Sequence, residues 1–276
     1  KEIKDSKATI VFHLAAQPLV RYSYSQPKET FDTNFSGTLN ILECVRKIKS
    51  IKSTIIITTD KVYDENKNKM FKETDNLGGL DPYSSSKVCA EFLFSSYVKS
   101  FFNNRKDQML ATVRAGNVIG GGDYSEDRLI PDIYRFLKKK KRIELRNPQS
   151  IRPWQHVLDP LSGYLTLTEK LHDKKIKKLN QNWNFGPNIS GCKTVKYVAT
   201  YFARSLNLKL FSKQKKDRIF QPETSVLRLS INKSKKYIKW KPKWNLNQAL
   251  QKIIEWNQFV KNKNYLNICE KQIKEY

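Results

Sequence analysis

Thr54-Ile55-Ile56-Ile57-Thr58-Thr59 decides the fold. All six residues are β-branched, and the run is too short for a helix and apolar through its centre. A strand without alternation is one buried on both faces, as in a parallel sheet covered on each side. Working outward, Ala8-Thr9-Ile10-Val11-Phe12-His13-Leu14 precedes it as a second buried strand. Met109-Leu110-Ala111-Thr112-Val113-Arg114 and Trp183-Asn184-Phe185, just before Gly186-Pro187, follow as two more. Helical segments separate them. From Glu29 to Ile48 the residues Phe31, Phe35, Thr38/Leu39, Leu42, Val45 and Ile48 recur at helical spacing, and a long helix runs from Tyr83 to about Phe102. Apolar strands joined by helices of three or more turns predict an α/β fold with a doubly wound parallel sheet. In such sheets the ligand lies beyond the C-terminal strand ends. Polar residues gather there: Ala15-Ala16-Gln17, Thr59-Asp60-Lys61 and Gly116-Asn117.

The 276 residues, 39% apolar and 12% aromatic, suffice for one large core or two smaller ones. The longest apolar stretch, Ala8 to Ala16, is interrupted by His13 and far shorter than a bilayer span. Lys1-Glu2-Ile3-Lys4-Asp5 does not read as a secretory signal. The four cysteines (Cys44, Cys89, Cys192, Cys269) form no Cys-x-x-Cys pair, which excludes a disulfide framework and a zinc ribbon and suits a reducing cytoplasm. His13, His156 and His172 are dispersed, so no metal site is expected. Lys+Arg 52 against Asp+Glu 26 gives a net charge of +26, which raises the question of nucleic acid. The excess is mostly lysine, spread from end to end and accompanied by abundant Asn, Ile, Tyr and Phe. That is the joint signature of an AT-rich coding bias, and runs such as Lys138-Lys139-Lys140-Lys141 read as solvated helix ends. Neither nucleic acid nor membrane is expected as a partner.

Tyr83-Ser84-Ser85-Ser86-Lys87 sets a phenol and an ammonium four residues apart on one helix face. A tyrosine is a poor base at neutral pH, and a cation one turn away favours its phenolate. Tyr-x-x-x-Lys alone is common; here it follows strands ending in Ala15-Ala16 and Thr58-Thr59-Asp60-Lys61, and the conjunction is specific. With His13-Leu14-Ala15-Ala16-Gln17-Pro18-Leu19-Val20-Arg21, Asp81-Pro82-Tyr83, Arg114 to Asp123, and Arg146-Asn147-Pro148 through Ile151-Arg152-Pro153-Trp154-Gln155-His156-Val157, the chain resembles the extended short-chain dehydrogenases/reductases. Within that family it is most similar to the CDP-glucose 4,6-dehydratases. The resemblance runs to the Trp256 helix and weakens in the lysine-rich tail.

The resemblance implies a Rossmann fold with a smaller C-terminal substrate domain: 1–122 and about 151–190 for the dinucleotide, about 123–150 and 191–276 for the nucleotide sugar. The tail, with Lys239-Trp240-Lys241-Pro242-Lys243-Trp244, is expected in the smaller domain. It implies NAD as cofactor, CDP-glucose or a related nucleotide sugar as substrate, and a homodimer or higher homo-oligomer. The Gly-rich turn that opens such folds is absent, since Gly120-Gly121-Gly122 follows a late strand. The family's first βαβαβ half, roughly 70–80 residues, is therefore expected upstream of Lys1. By that expectation Ala8–Leu14 is the fourth strand of the order 3-2-1-4-5-6, and these residues alone bind NAD poorly.

The family's chemistry is redox-neutral. By the same resemblance Tyr83 takes the sugar 4-hydroxyl proton, Thr59 hydrogen-bonds that hydroxyl, and Lys87 holds the nicotinamide ribose and lowers the Tyr83 pKa. Asp60 protonates the departing 6-hydroxyl. Lys61 is either the base for the C5 proton or an orienting charge beside Asp60. Ala15, Ala16, Gln17 and Asn34 are expected at the cofactor with Tyr83 and Lys87; Thr59, Asn117, Arg128 and Arg152 are expected at the substrate, Arg152 on the diphosphate because a guanidinium fork matches phosphate oxygens. His13 reads as a core residue, and Gly37 as a point of close helix–sheet packing. Ser230-Ile231-Asn232 departs from the family pattern. Two other readings stay open: an epimerase or different dehydratase on the same scaffold, and a catalytically idle nucleotide-binding protein.

Overall fold

Four parallel strands, β1 (Ile10–His13), β2 (Ser53–Ile57), β3 (Met109–Ala115) and β4 (Gln181–Phe185), lie side by side in chain order. The computed structural model describes residues 1–64, 69–105, 107–139, 143–173, 181–211, 226–260 and 265–276. All four expected strands form, with Ile57 level with Val113 and Ala115 level with Phe185. Thr58, Gly116 and Gly186 therefore leave the sheet at the same end.

Alternation along the strands feeds two cores. Ile56 and Leu110 face Leu42, Val45, Phe94 and Phe102, which come from α2 (Gly37–Lys47), α3 (Pro82–Tyr97) and the π-helical turn Val98–Phe102. Ile55, Ala111 and Val113 face the other way, onto Tyr164 and Leu167 of α5 (Leu158–His172). Both faces are covered, which is why the strands read as unbroken apolar runs. A further core joins α4 (Leu129–Lys138), α6 (Val195–Ser205) and α7 (Leu246–Phe259) around Ile133, Phe202 and Leu250.

The structure departs from expectation in three places. The helical run 27–47, made of α1 (Pro27–Phe31) and α2, contains a π-helical turn between them, Asp32–Ser36. It slows the helical period, so the buried residues fall every fourth position, at Thr30, Asn34, Thr38 and Leu42, while Phe31 and Phe35 stay only partly covered. Gly37 is not a close-packing point: a Cβ there would meet nothing within 4 Å, because that side of the helix faces open space. Ile231, Ile238 and Trp240 belong to the sheet's own core rather than to the smaller unit; the Trp240 ring lies 4.9 Å from Phe185 and its N–H donates to Ser162 Oγ at 3.1 Å. Of the Lys138–Lys141 run, Lys138 and Lys139 are exposed at the end of α4, and Lys140 and Lys141 lie outside the described residues.

Gly121 is where the loop after β3 seats against α7. A Cβ at Gly121 would stand 2.1 Å from Trp256 Cγ, closer than any contact can be, so only glycine fits. Gly121→Ala is expected to destabilise the chain by about 1–3 kcal/mol, the usual cost of overpacking. Urea unfolding should show Trp256→Leu recovering part of that loss in the double variant; strict additivity would mean that the two do not clash.

His156 is buried 4.7 Å from the Trp244 ring, and its Nδ1 accepts from Leu158 N–H at 3.3 Å. Burial, with the nearby Lys252 charge, lowers its pKa from 6.5 to about 4. The unfolded chain takes up this proton below pH 6.5 and the folded chain only near 4, so stability is complete above 6.5 and is lost as pH falls toward 4. The loss approaches about 3 kcal/mol at 1.4 kcal/mol per pH unit. His156→Asn, which keeps an acceptor for Leu158 N–H, should flatten that part of a Tm-against-pH curve.

Candidate active site

The C-terminal ends of β2 and β3 open into a cavity of about 450 Å³. Thr59 stands at its floor and caps the short helical turn Asp60–Val62, its Oγ1 accepting from Lys61 N–H at 3.4 Å. The same hydroxyl donates to Asp60 Oδ1 at 3.2 Å. Asp60 is 1% exposed, and its Oδ2 has no hydrogen-bond partner among the described residues. Lys61 Nζ lies 3.4 Å from Asp60 Oδ1, an ion pair that suits an orienting charge.

Tyr83 reaches the floor from the first turn of α3. Asp81 begins that helix, accepting from Ser84 N–H at 2.9 Å and Ser84 Oγ at 2.6 Å, and Pro82 fits the first helical position. The Tyr83 N–H donates to Ser23 Oγ at 3.1 Å. Spacing along α3 then buries Tyr83, Lys87 and Glu91 on one face. Lys87 Nζ donates to Ile57 O at 3.2 Å, behind the cavity wall rather than on it.

Burial pushes the Tyr83 pKa up to about 12, with a hydrogen bond to Thr59 and the Arg128 charge working against it and the Asp60 and Asp81 charges adding to it. Burial also lowers Lys87, to about 8. Of the groups that lower the Tyr83 pKa in this structure, the Thr59 hydrogen bond and the Arg128 charge act most strongly, and desolvation outweighs both.

The cavity brings together Thr59, Asp60, Lys61, Tyr83, Asn117, Arg128 and Arg152. The Asn117 Oδ1 is buried without a hydrogen-bond partner among the described residues, and Arg152 is 3% exposed, donating to Ile151 O at 3.0 Å. Arg128 pairs with Asp123 at 3.2 Å. The expected cofactor group lies apart, at the end of β1. There Ala15 is exposed and Ala16 half-buried. Asn34 is clamped: its Oδ1 accepts from Gln17 N–H at 2.8 Å, and its amide donates to Gln17 O at 3.0 Å and Ser86 Oγ at 2.9 Å. Gln17 in turn donates to Thr30 Oγ1 at 2.8 Å. Both side chains thus fix the loop after β1 against α3. His13 is a core residue, 3.3 Å from Thr38 Oγ1.

Several members escaped the sequence reading. Arg21 and Arg146 line the same cavity and share Asp127, at 3.2 and 2.7 Å. Beneath the floor, Glu91 and Arg114 form a buried pair at 2.9 and 3.0 Å. An acidic residue four places after Lys87, on the same face, was the available signal for Glu91.

A nicotinamide dinucleotide fits what is present. Lys87 is almost wholly buried and, among the described residues, matches one of its three N–H bonds to Ile57 O, leaving donors of the kind a ribose diol would meet, and the exposed Ala15 permits close approach. Among the described residues no group of His, Cys, Asp and Glu could hold a metal, and no helix is long and apolar enough to cross a membrane.

Comparison with known proteins places the chain in a family. The chain is 40% identical to a CDP-glucose 4,6-dehydratase of Salmonella typhimurium over 99% of this chain and 77% of that protein. It is 24% identical to human dTDP-D-glucose 4,6-dehydratase over 91% of this chain and 68% of that protein. Among solved structures, dTDP-glucose 4,6-dehydratase from Bacillus anthracis, in complex with NAD, superposes with a TM-score of 0.77 at 25% identity, covering 95% of this chain and 76% of that one. UDP-glucuronic acid 4-epimerase from Bacillus cereus shares the fold at TM-score 0.76 and 20% identity, covering 91% and 74%. The family model described as GDP-mannose 4,6 dehydratase matches residues 1–253, and the chain belongs to that family.

Proposed function

We propose that this protein is an NAD-dependent nucleotide-sugar 4,6-dehydratase that converts CDP-glucose to CDP-4-keto-6-deoxyglucose. The observation that carries the reading is Asp60: a buried carboxyl 3.2 Å from the Thr59 hydroxyl, sharing the cavity with Tyr83 and having one oxygen unmatched. Inverting a hydroxyl at C4 needs no acid at C6, whereas losing water from C6 does. The 40% identity to the Salmonella CDP-glucose enzyme supports cytidine as the base. We assign the protein to the cytoplasm, to deoxysugar supply such as that for a lipopolysaccharide O-antigen, and to a homodimer or larger homo-oligomer.

NAD, when bound, supplies an acceptor and later a donor of hydride, so the sequence is redox-neutral. Tyr83 accepts the 4-hydroxyl proton, and Thr59 hydrogen-bonds that oxygen. With C4 a ketone, the C5 proton is acidic. Its removal and proton donation from Asp60 to the C6 oxygen break the C5–H and C6–O bonds, form the C5–C6 double bond and release water. Lys61 either takes the C5 proton or orients Asp60. Asn117 offers its buried Oδ1 as acceptor to a sugar hydroxyl. Arg152, with Arg128, holds the diphosphate.

Tyr83→Phe should lower ketone formation by about 10²–10⁴-fold, the usual value of a general base, with CDP-glucose binding nearly intact by calorimetry; retained turnover would overturn the assignment. Asp60→Asn should still exchange the C5 proton with deuterated solvent while releasing water at least about 100-fold more slowly. Equal loss of both would remove Asp60 from the elimination step. Lys61→Met separates the two roles of Lys61: slowed C5 exchange makes it the base, and a wild-type rate makes it an orienting charge. Throughout, no reduced nicotinamide should accumulate in step with product.

A further inference from the structure

Glu91 is the one buried carboxylate of α3, and the proposed chemistry leaves it unused. Its Oε1 accepts from Thr58 Oγ1 at 2.6 Å and Arg114 Nε at 2.9 Å. Its Oε2 accepts from Thr112 Oγ1 and Arg114 Nη2, each at 3.0 Å, and from the Asn182 amide. Donors from β2, β3 and β4 therefore occupy both oxygens, no lone pair is left to carry a proton, and the group is an anion. It lies one helical turn beyond Lys87 on the same buried face.

Lys87 is in unusual surroundings for an ammonium. From β1 it faces His13, which burial and the Lys87 charge keep neutral. From β2 it donates to the Ile57 carbonyl, and the next residue along, Thr58, is bound to Glu91. Its own helix contributes the Tyr83 phenol and Glu91. Arg114, on β3, is turned onto Glu91 and Tyr63. We infer that Glu91 is a positioning residue that holds Lys87 as a cation beneath Tyr83 and so keeps the Tyr83 phenol open to deprotonation. The direction of the Lys87 shift agrees: burial lowers it to about 8, and the Glu91 charge is what opposes burial. Without that charge burial acts on Lys87 unopposed and drives it toward the neutral amine, away from the cation needed beside Tyr83. The inference rests on the reading of Lys87 as the cation of the Tyr83 pair, and it says nothing of which sugar is bound.

The test reads the Lys87 amine itself, on the whole chain without substrate, by competitive acetylation against pH with the modified peptide quantified. Wild-type Lys87 should titrate near 8 or above; a midpoint below 7 would overturn the inference without any variant. In Glu91→Gln, checked for folding by circular dichroism, the midpoint should fall by about one unit or more, as removal of a unit charge one turn away requires. The alkaline limb of kcat/KM should move by the same amount toward lower pH. An unmoved amine midpoint in a folded Glu91→Gln would make Glu91 a purely structural residue. A moved midpoint in a protein inactive on CDP-glucose would leave the inference standing and remove only the substrate.

Discussion

The buried pair Glu91–Arg114 is the contact on which the site depends. A bidentate guanidinium–carboxylate pair taken out of water gains little net stability, because desolvation offsets most of the attraction. What it supplies is a single allowed geometry. Glu91 takes donors from Thr58 on β2, Thr112 and Arg114 on β3 and Asn182 on β4. Arg114 continues to the Tyr63 hydroxyl at 3.0 Å, Tyr63 to Asn184 Oδ1 at 2.6 Å, and Ser234 Oγ to Asn184 O at 2.6 Å. Three strands and α3 are thereby locked in register. Removing one partner leaves a buried charge unmatched, at about 3–5 kcal/mol, so slipping α3 along the sheet is costly. That lock sets where Tyr83, two turns earlier on α3, meets Thr59.

A second consequence follows from the same dryness. Both members of the Tyr83–Lys87 pair are driven toward neutrality, the phenol up to about 12 and the amine down to about 8. A dry site strengthens every charge interaction, but it also makes the reactive ionic forms expensive. The base form of Tyr83 is thus conditional on cations being kept nearby. Arg128 does this from the cavity side, while Lys87 sits behind the wall.

The sheet was legible because its strands are apolar on both faces, and only one architecture covers both. The floor of the cavity was legible because Thr59-Asp60-Lys61 ends a strand and Tyr83 opens a helix, so local sequence fixes local geometry. Positions set by distant partners were not legible. Asn34 is held by Gln17 and Ser86 on the far side of a π-helical turn, a placement that apolar spacing at Phe31 and Phe35 could not announce. The arginines of the cavity come from segments more than a hundred residues apart, Arg21 and Arg146 meeting at Asp127. No single-chain pattern encodes such a meeting.

Those arginines also put the charge balance of the chain in place. The excess is mostly lysine and spread along the surface, but the cavity is lined with arginine and each cavity arginine named here for an ion pair has an aspartate: Arg128 with Asp123, Arg21 and Arg146 with Asp127. Asp127 holds this bridging position with a left-handed backbone, φ 59°, a conformation that aspartate tolerates better than most residues. Flexible guanidinium groups so tethered lose little further freedom when an anion arrives. Under the proposed function a nucleoside diphosphate brings its charges to forks already aimed into the cavity, and it competes with carboxylates half exposed to water rather than with a buried pair such as Glu91–Arg114. The exchange is therefore cheap, as ion pairs near the surface are weak. The chain keeps its strong pairing below the floor, where geometry must not change, and its weak pairing at the mouth, where charge must change hands.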